Sequence, residues 1–178
     1  GPIYKIEAEL SKQSQGFADM QRTFTSKDVK SSLKNNEIFV DIAAFKYSDF
    51  TSNNWYYNFK YLVFITNSED ILIDHLFIDN GKELENEIFS NYNSFTSRSN
   101  KKSEQKDELS YEYFWKPIAE KIGDAKTVYV SLGGVYNNIN LNTLYNPETG
   151  KYLLEEKDIR IVNSARDFVL MKAREEKT

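Results

Sequence analysis

The chain is 178 residues long, enough for one domain with a sizeable core, or for one domain with a helical extension. Hydrophobic residues make up 40% and aromatics 15%, with 12 Tyr and 12 Phe, which argues for a packed interior and against disorder. A net charge of −4 gives no electrostatic footprint for nucleic acid, the absence of cysteine excludes disulfides, and no apolar run approaches the roughly 18 residues of a membrane span.

The nearest approach to a basic patch is Arg98, Lys101, Lys102 and Lys106, partly cancelled by Glu104 and Asp107. The start carries no signal-peptide pattern and the chain has no Asn-x-Ser/Thr acceptor, so the cytoplasm is the expected compartment. Gly1-Pro2 reads as the remnant of an engineered protease site and is set aside.

Ile3, Ile6 and Leu10 recur at helical spacing and predict a helix from Ile3 to Gly16. Thr25-Ser26-Lys27-Asp28 opens a second, short helix with a capping-box pattern, its apolar stripe formed by Val29 and Leu33. Three strand candidates follow: Glu37 to Phe45, Phe59 to Thr66 and Ile71 to Ile78. In the first, Ile38, Val40, Ile42 and Ala44 share one face while Phe39, Ala43 and Phe45 share the other. Apolar residues on both faces predict that both are covered, which puts these strands in the middle of a layered domain. Asn67-Ser68-Glu69-Asp70 is short enough for a hairpin turn.

A helix then starts after Asp79-Asn80-Gly81, with Leu84, Ile88 and Tyr92 spaced by four. Ser94 to Lys106 is polar and reads as an exposed, mobile loop. Asp107 to Ile122 is helical, with Leu109 and Tyr113 on one stripe and Phe114, Ile118 and Ile122 on another. Pro117 predicts a kink or break in it, and Gly123 its end. Lys126 to Ser131 reads as a short buried strand and Gly133-Gly134 as a tight turn. One helical turn from Asn140 to Leu144 and a turn at Asn146-Pro147-Glu148-Thr149-Gly150 precede a strand from Asp158 to Val162. A helix capped by Ser164-Ala165-Arg166-Asp167 closes the chain.

The residues offer little chemistry. His75 is the only imidazole; it falls on a strand face with Ile71, Ile73 and Phe77, and its neighbour Asp74 points the other way. That makes it a structural residue and rules out an acid–base pair between the two. One His with scattered carboxylates has no zinc-ligand spacing. Glu155, Glu156 and Asp158 read as a solvated run, and Glu104, Asp107 and Glu108 as acids favoured at a helix start. Val128 to Gly134 has the strand-then-glycine shape of a phosphate loop, but neither the Lys-Ser/Thr pair nor three spaced glycines. A nucleophile at Ser131 would need His75 as its base, and nothing in the sequence places it there. No catalytic, cofactor-binding or metal residue is assigned.

The ordered series Tyr113-Phe114-Trp115-Lys116-Pro117-Ile118, Ala125 to Ser131, Asn140 to Leu144, Gly150 to Leu154 and Ser164-Ala165-Arg166-Asp167 resembles the CHAT family of caspase-like cysteine proteases. Thr25 to Leu33, Ala44-Phe45 and Tyr61-Leu62-Val63 are similar to that family's first helix and strands, so the likeness spans roughly residues 23 to 172. Ser131-Leu132-Gly133-Gly134 departs from it, standing where the family has Ser-Pro-Asp-Gly. The resemblance implies a layered α/β sheet of about five or six strands with helices on both faces. It makes residues 23–178 the N-terminal, protease-like but inactive part of the domain, and 3–22 a connecting helix from tetratricopeptide repeats. The family's catalytic His and Cys lie downstream of every matched piece, and no catalytic residue carries over. The implied partners are a C-terminal catalytic half, the upstream helical repeats and, through the catalytic half, protein substrates. The chain is then the structural and regulatory half of an endopeptidase. The other readings are a free-standing interaction adaptor, or a small-molecule-binding α/β module with its site at the Gly133-Gly134 strand end.

Overall fold

The computed structural model describes residues 4–5, 23–48, 57–69, 73–97 and 105–176. Tyr4 and Lys5 are helical, and the rest of the expected helix from Ile3 to Gly16 lies outside the described residues.

Thr25 caps helix α1 (Ser26–Ser32) as its sequence predicts. Its backbone N–H donates to the Asp28 carboxylate at 2.8 Å, and Val29 turns inward from the helix. The chain then enters β1 (Glu37–Ser48), β2 (Tyr57–Asn67) and β3 (Asp74–Ile78), an antiparallel meander. After the helices described below come β4 (Thr127–Ser131), the two-residue strands β5 (Tyr145–Asn146) and β6 (Lys151–Tyr152), and β7 (Asp158–Val162). The main sheet has five strands in the order β3-β2-β1-β4-β7, with β1, β4 and β7 mutually parallel. The fold is therefore α/β with a mixed sheet and helices on both faces, as expected.

The first face carries Ile38, Val40, Ile42, Tyr61, Val63, Ile65, Val128 and Val130, all buried. Over it lie α2 (residues 81–96), α3 (Glu108–Phe114) and α4 (Lys116–Ile122), whose Leu84, Ile88, Tyr92, Phe114, Ile118 and Ile122 complete the core. The helix predicted from Asp107 to Ile122 is two helices. The break falls at Trp115 (φ −121°, ψ −38°), and Pro117 stands in the first turn of α4, where its missing N–H costs nothing. Leu109 stays 43% exposed, so α3 is covered less completely than its apolar positions suggest.

Four further expectations change. The Asn146–Gly150 turn closes a hairpin of two-residue strands, β5–β6, and α5 (Leu153–Glu156) follows it, where the sequence marks only a turn and then a strand. The Ser94–Lys106 loop starts later, because α2 continues through Thr96, where the Thr96 hydroxyl donates to the Tyr92 carbonyl. Residues 98–104 lie outside the described residues, while Lys106 packs over the Tyr145 and Tyr152 rings at 5.7 and 5.0 Å. β3 is an edge strand rather than a central one.

The fourth difference lies on the sheet's second face. Among the described residues, the second face is covered only at one end, where α1 and α6 (Ala165–Glu175) bring Val29, Phe168 and Val169 onto Phe39 and Tyr129. The Phe168 ring lies 5.0 Å from that of Phe39 and 4.7 Å from that of Tyr129. Towards β3 the same face is open, and Phe77 is 56% exposed. The two described helices on this face leave part of the five strands unroofed, so apolar alternation overstated the burial.

Polar contacts fasten α6 to the sheet. The Lys172 ammonium donates to both Glu37 oxygens, at 2.8 and 3.0 Å, with the lysine side chain only 4% exposed. The Tyr129 hydroxyl accepts from Lys172 at 3.3 Å and from the Arg160 guanidinium at 3.1 Å. Burial alone would raise the Glu37 carboxyl, but the bonds from Lys172 and from the Lys34 N–H outweigh it and hold the group below its ordinary value.

Candidate functional site

Where α1 and α6 stop covering the second face, a groove opens with a volume of about 280 Å³. Phe24, Val29, Phe39, Phe64, Ile73 and Ala165 supply its apolar walls, and Thr25, Ser26, Asp41 and Thr66 its polar positions. The strand period places Asp41 there: two residues beyond Phe39, its side chain must share that face. Asp41 pairs in register with Ser131 of β4 on one side and with Phe64 of β2 on the other. Neighbouring strands lie about 4.8 Å apart, so Ser131 shares the face of Asp41 one strand over, outside the residues that line the groove. Thr66 faces Phe39 in the same ladder, one diagonal step away. Asp41 is half-buried, and Thr66 and Ser131 are each 7% exposed. No ion pair or side-chain hydrogen bond engages any of the three within the described residues. The Asp41 carboxylate and the Thr66 hydroxyl thus share the groove, without a side-chain partner among the described residues, between aromatic walls.

The residues considered from the sequence lie elsewhere. His75 is exposed on edge strand β3 rather than satisfied on a covered face, with its ring 6.0 Å from that of Phe77 in an edge-on contact. Asp74 accepts from the His75 backbone N–H at 2.8 Å and pairs with Lys121 at 3.0 Å, so it is no partner for the imidazole. The Lys121 ammonium, ahead of that N–H, keeps the Asp74 carboxyl below its usual range. Ser131 and His75 share a face of the sheet, but β1 and β2 lie between their strands, too far for proton transfer. Asp107 caps α3 by accepting from the Ser110 N–H at 3.1 Å, and Arg98, Lys101, Lys102 and Glu104 lie outside the described residues. Glu155 caps α5 through the Tyr152 N–H at 2.8 Å, and Glu156 accepts from Asn146. Asp158 pairs with Arg160 at 2.7 Å. Among the described residues no three His, Asp or Glu side chains gather as metal ligands, and no helix is long and apolar enough to cross a membrane.

Gly133 and Gly134 pack against the first face instead of cradling a ligand. A Cβ on Gly133 would meet the Ile42 carbonyl oxygen at 2.2 Å, and one on Gly134 would meet the Tyr61 ring at 2.7 Å. The next N–H, that of Val135, donates to the Tyr61 hydroxyl at 3.0 Å, and that hydroxyl donates to Glu85. Burial, seconded by Glu85, pushes the Tyr61 phenol well up, so it stays protonated at neutral pH. The small-molecule site expected at this strand end is therefore filled by the protein itself. Gly133→Ala is expected to destabilise the chain by about 1–3 kcal/mol, because the β1 backbone has to move. Chemical unfolding of the variant checks it, and an unchanged midpoint would show the contact to be soft.

Sequence reasoning passed over Asp41, although a signal was present. It is the one charged residue in the run Ile38 to Ala44, and it interrupts the apolar series Phe39, Ala43, Phe45. Comparison of the chain with protein-family models, with curated proteins and with solved structures finds no match.

Proposed function

We propose that this chain is the non-catalytic, structural and regulatory half of a caspase-like cysteine endopeptidase. The observation that carries the reading is the outer edge of β7. This strand continues a parallel trio, its outer edge is unpaired among the described residues, and Ile161 on it is 52% exposed. An unpaired edge beside a buried parallel strand suits extension by further strands from a catalytic half. A thiolate and its imidazole base are indispensable to that chemistry; the chain has no Cys, and among the described residues no acidic side chain hydrogen-bonds the imidazole of its single His, so in this reading both groups belong to the partner segment. Upstream helical repeats would feed their signal in through residues 3–22.

The test has two arms. The purified chain is expected to turn over no fluorogenic peptide, whatever residue precedes the scissile bond; turnover that survives repurification and His75→Ala would refute it. In the reading frame beyond Thr178, a His-Gly pair followed by a Cys is expected, and the segment carrying them should co-purify with this chain as an active protease. A stop codon there would leave the second reading, an interaction module, which the unmatched groove on the second face favours.

A further inference from the structure

We propose that the groove on the second face is a recognition pocket for an arginine side chain, presented by an apolar peptide segment of a partner protein. The inference deepens the interaction-module reading and is independent of the protease one.

Charge comes first. The Asp41 carboxylate is half-buried, walled by Phe24, Phe39 and Phe64, and met by no cation or hydrogen-bond donor among the described residues. Withdrawing a carboxylate from water without a partner is costly, and the cost is relieved when a cation enters. The Thr66 hydroxyl in the same groove extends the demand. Thr66 stands one diagonal step from Asp41 on β2, lines the groove and has acceptor capacity to spare. The pocket therefore asks for one positive group with several N–H donors in a plane.

Guanidinium meets that description better than ammonium. It binds a carboxylate through two parallel N–H bonds and keeps further donors for neighbouring hydroxyls. It also sheds water more readily and stacks on aromatic faces, of which this groove has three. The rim already shows the stacking: the chain's own Arg166 lies over the Phe24 ring at 5.7 Å. Size sets the limit. About 280 Å³ holds one long side chain and part of a neighbour, not a helix. The residues flanking the arginine then lie on the open sheet beyond, where Phe45 and Phe77 are 40% and 56% exposed. That surface is apolar, so the flanks are apolar too. The chain's net charge of −4 adds a general attraction for a cationic segment.

The probe is the capped hexapeptide Gly-Leu-Phe-Arg-Leu-Gly, set against the same peptide with citrulline, which keeps the shape and loses the charge. Backbone amide signals of Phe39, Asp41, Phe64 and Thr66 are followed in two-dimensional NMR titrations of the whole chain. The arginine peptide is expected to shift them and to bind about tenfold or more tightly than its citrulline twin, the size of one charge-assisted contact. Asp41→Asn, close in size and free of the charge, is expected to abolish that preference without lowering the thermal midpoint. Equal binding of the two peptides overturns the arginine assignment and leaves an apolar docking face standing. Shifts confined to other regions, or no binding at millimolar peptide, overturn the pocket as well. Movement of the Asp41 and Phe64 signals by Arg22→Ala alone would assign the groove to the chain's own N-terminal segment and sink the external partner.

Discussion

Trp115→Ala is expected to lower the unfolding free energy by about 3–5 kcal/mol, a large part of a typical domain's stability. The indole is fully buried at the junction of α3 and α4, among the side chains of the main core. Its backbone also holds the junction together: the Trp115 carbonyl accepts from the Ile118 and Ala119 N–H groups at 2.9 and 2.8 Å. Truncation therefore empties a large volume at the point where the helix direction changes. The indole Nε1 is the single buried side-chain polar atom without a hydrogen bond among the described residues. Trp115→Phe removes that orphan donor along with less volume, so it should cost less than half as much as alanine. Denaturant midpoints for the wild type and both variants test the pair; a loss below roughly 1 kcal/mol for alanine is surface behaviour and would contradict the packing.

Breaking the Lys172–Glu37 pair is the second large effect. Lys172→Met leaves the Glu37 carboxylate under α6 with only the weak Tyr129 hydroxyl and the Lys34 N–H as donors. The expected loss is about 3–5 kcal/mol, the usual result of stranding one buried charge. Removing both charges, in Glu37→Leu with Lys172→Met, should recover most of it, because the desolvation of both ions disappears too. Should the double variant fall below the single, the pair itself is the stabiliser and this account of it fails.

The same pair sets a pH dependence. The folded Glu37 carboxyl titrates below its ordinary value of 4.5, so its contribution is complete above that pH and fades as acid carries the solution through the lowered value. Lys172 runs the opposite way. Burial alone would lower it, but Glu37 and Tyr129 lift it above 10.5, so its share is complete below that pH and is lost in stronger alkali. Unfolding free energies from pH 2 to pH 6 should slope upward in the wild type and less steeply in the double variant.

Helix boundaries were the most legible part of the sequence, because each rests on a local bond. Thr25 with Asp28, Ser164 with Asp167, and Gly123 at φ +54° cap where their residue types predict. Strands β1, β2, β4 and β7 were legible from composition alone. What covers them was not, since Phe39 and Phe77 read alike in sequence and only the positions of α1 and α6 decide that one is buried and the other bare. The Lys172–Glu37 contact joins residues 135 apart, beyond the reach of any periodicity. Asp41 belongs to both kinds: the interrupted pattern was visible, but its unmatched setting appears only when β2 and β4 close around it.

β1 is longer than the sheet that holds it. Among the described residues it pairs with β4 only from Glu37 to Asp41, yet continues against β2 alone as far as Ser48. β3 joins the far side of β2 only between Tyr61 and Ile65, so the last rungs, Lys46 with Phe59 to Ser48 with Tyr57, form a two-stranded ribbon. A ribbon of two strands is marginal in water, whereas the rungs inboard are clamped on both edges. One strand therefore spans two regimes of opening. Amide hydrogens near Val40 should exchange with deuterium only when the whole domain unfolds, and those beyond Phe45 orders of magnitude sooner, so that the outboard end of β1 frays and re-forms while the inboard end stays locked.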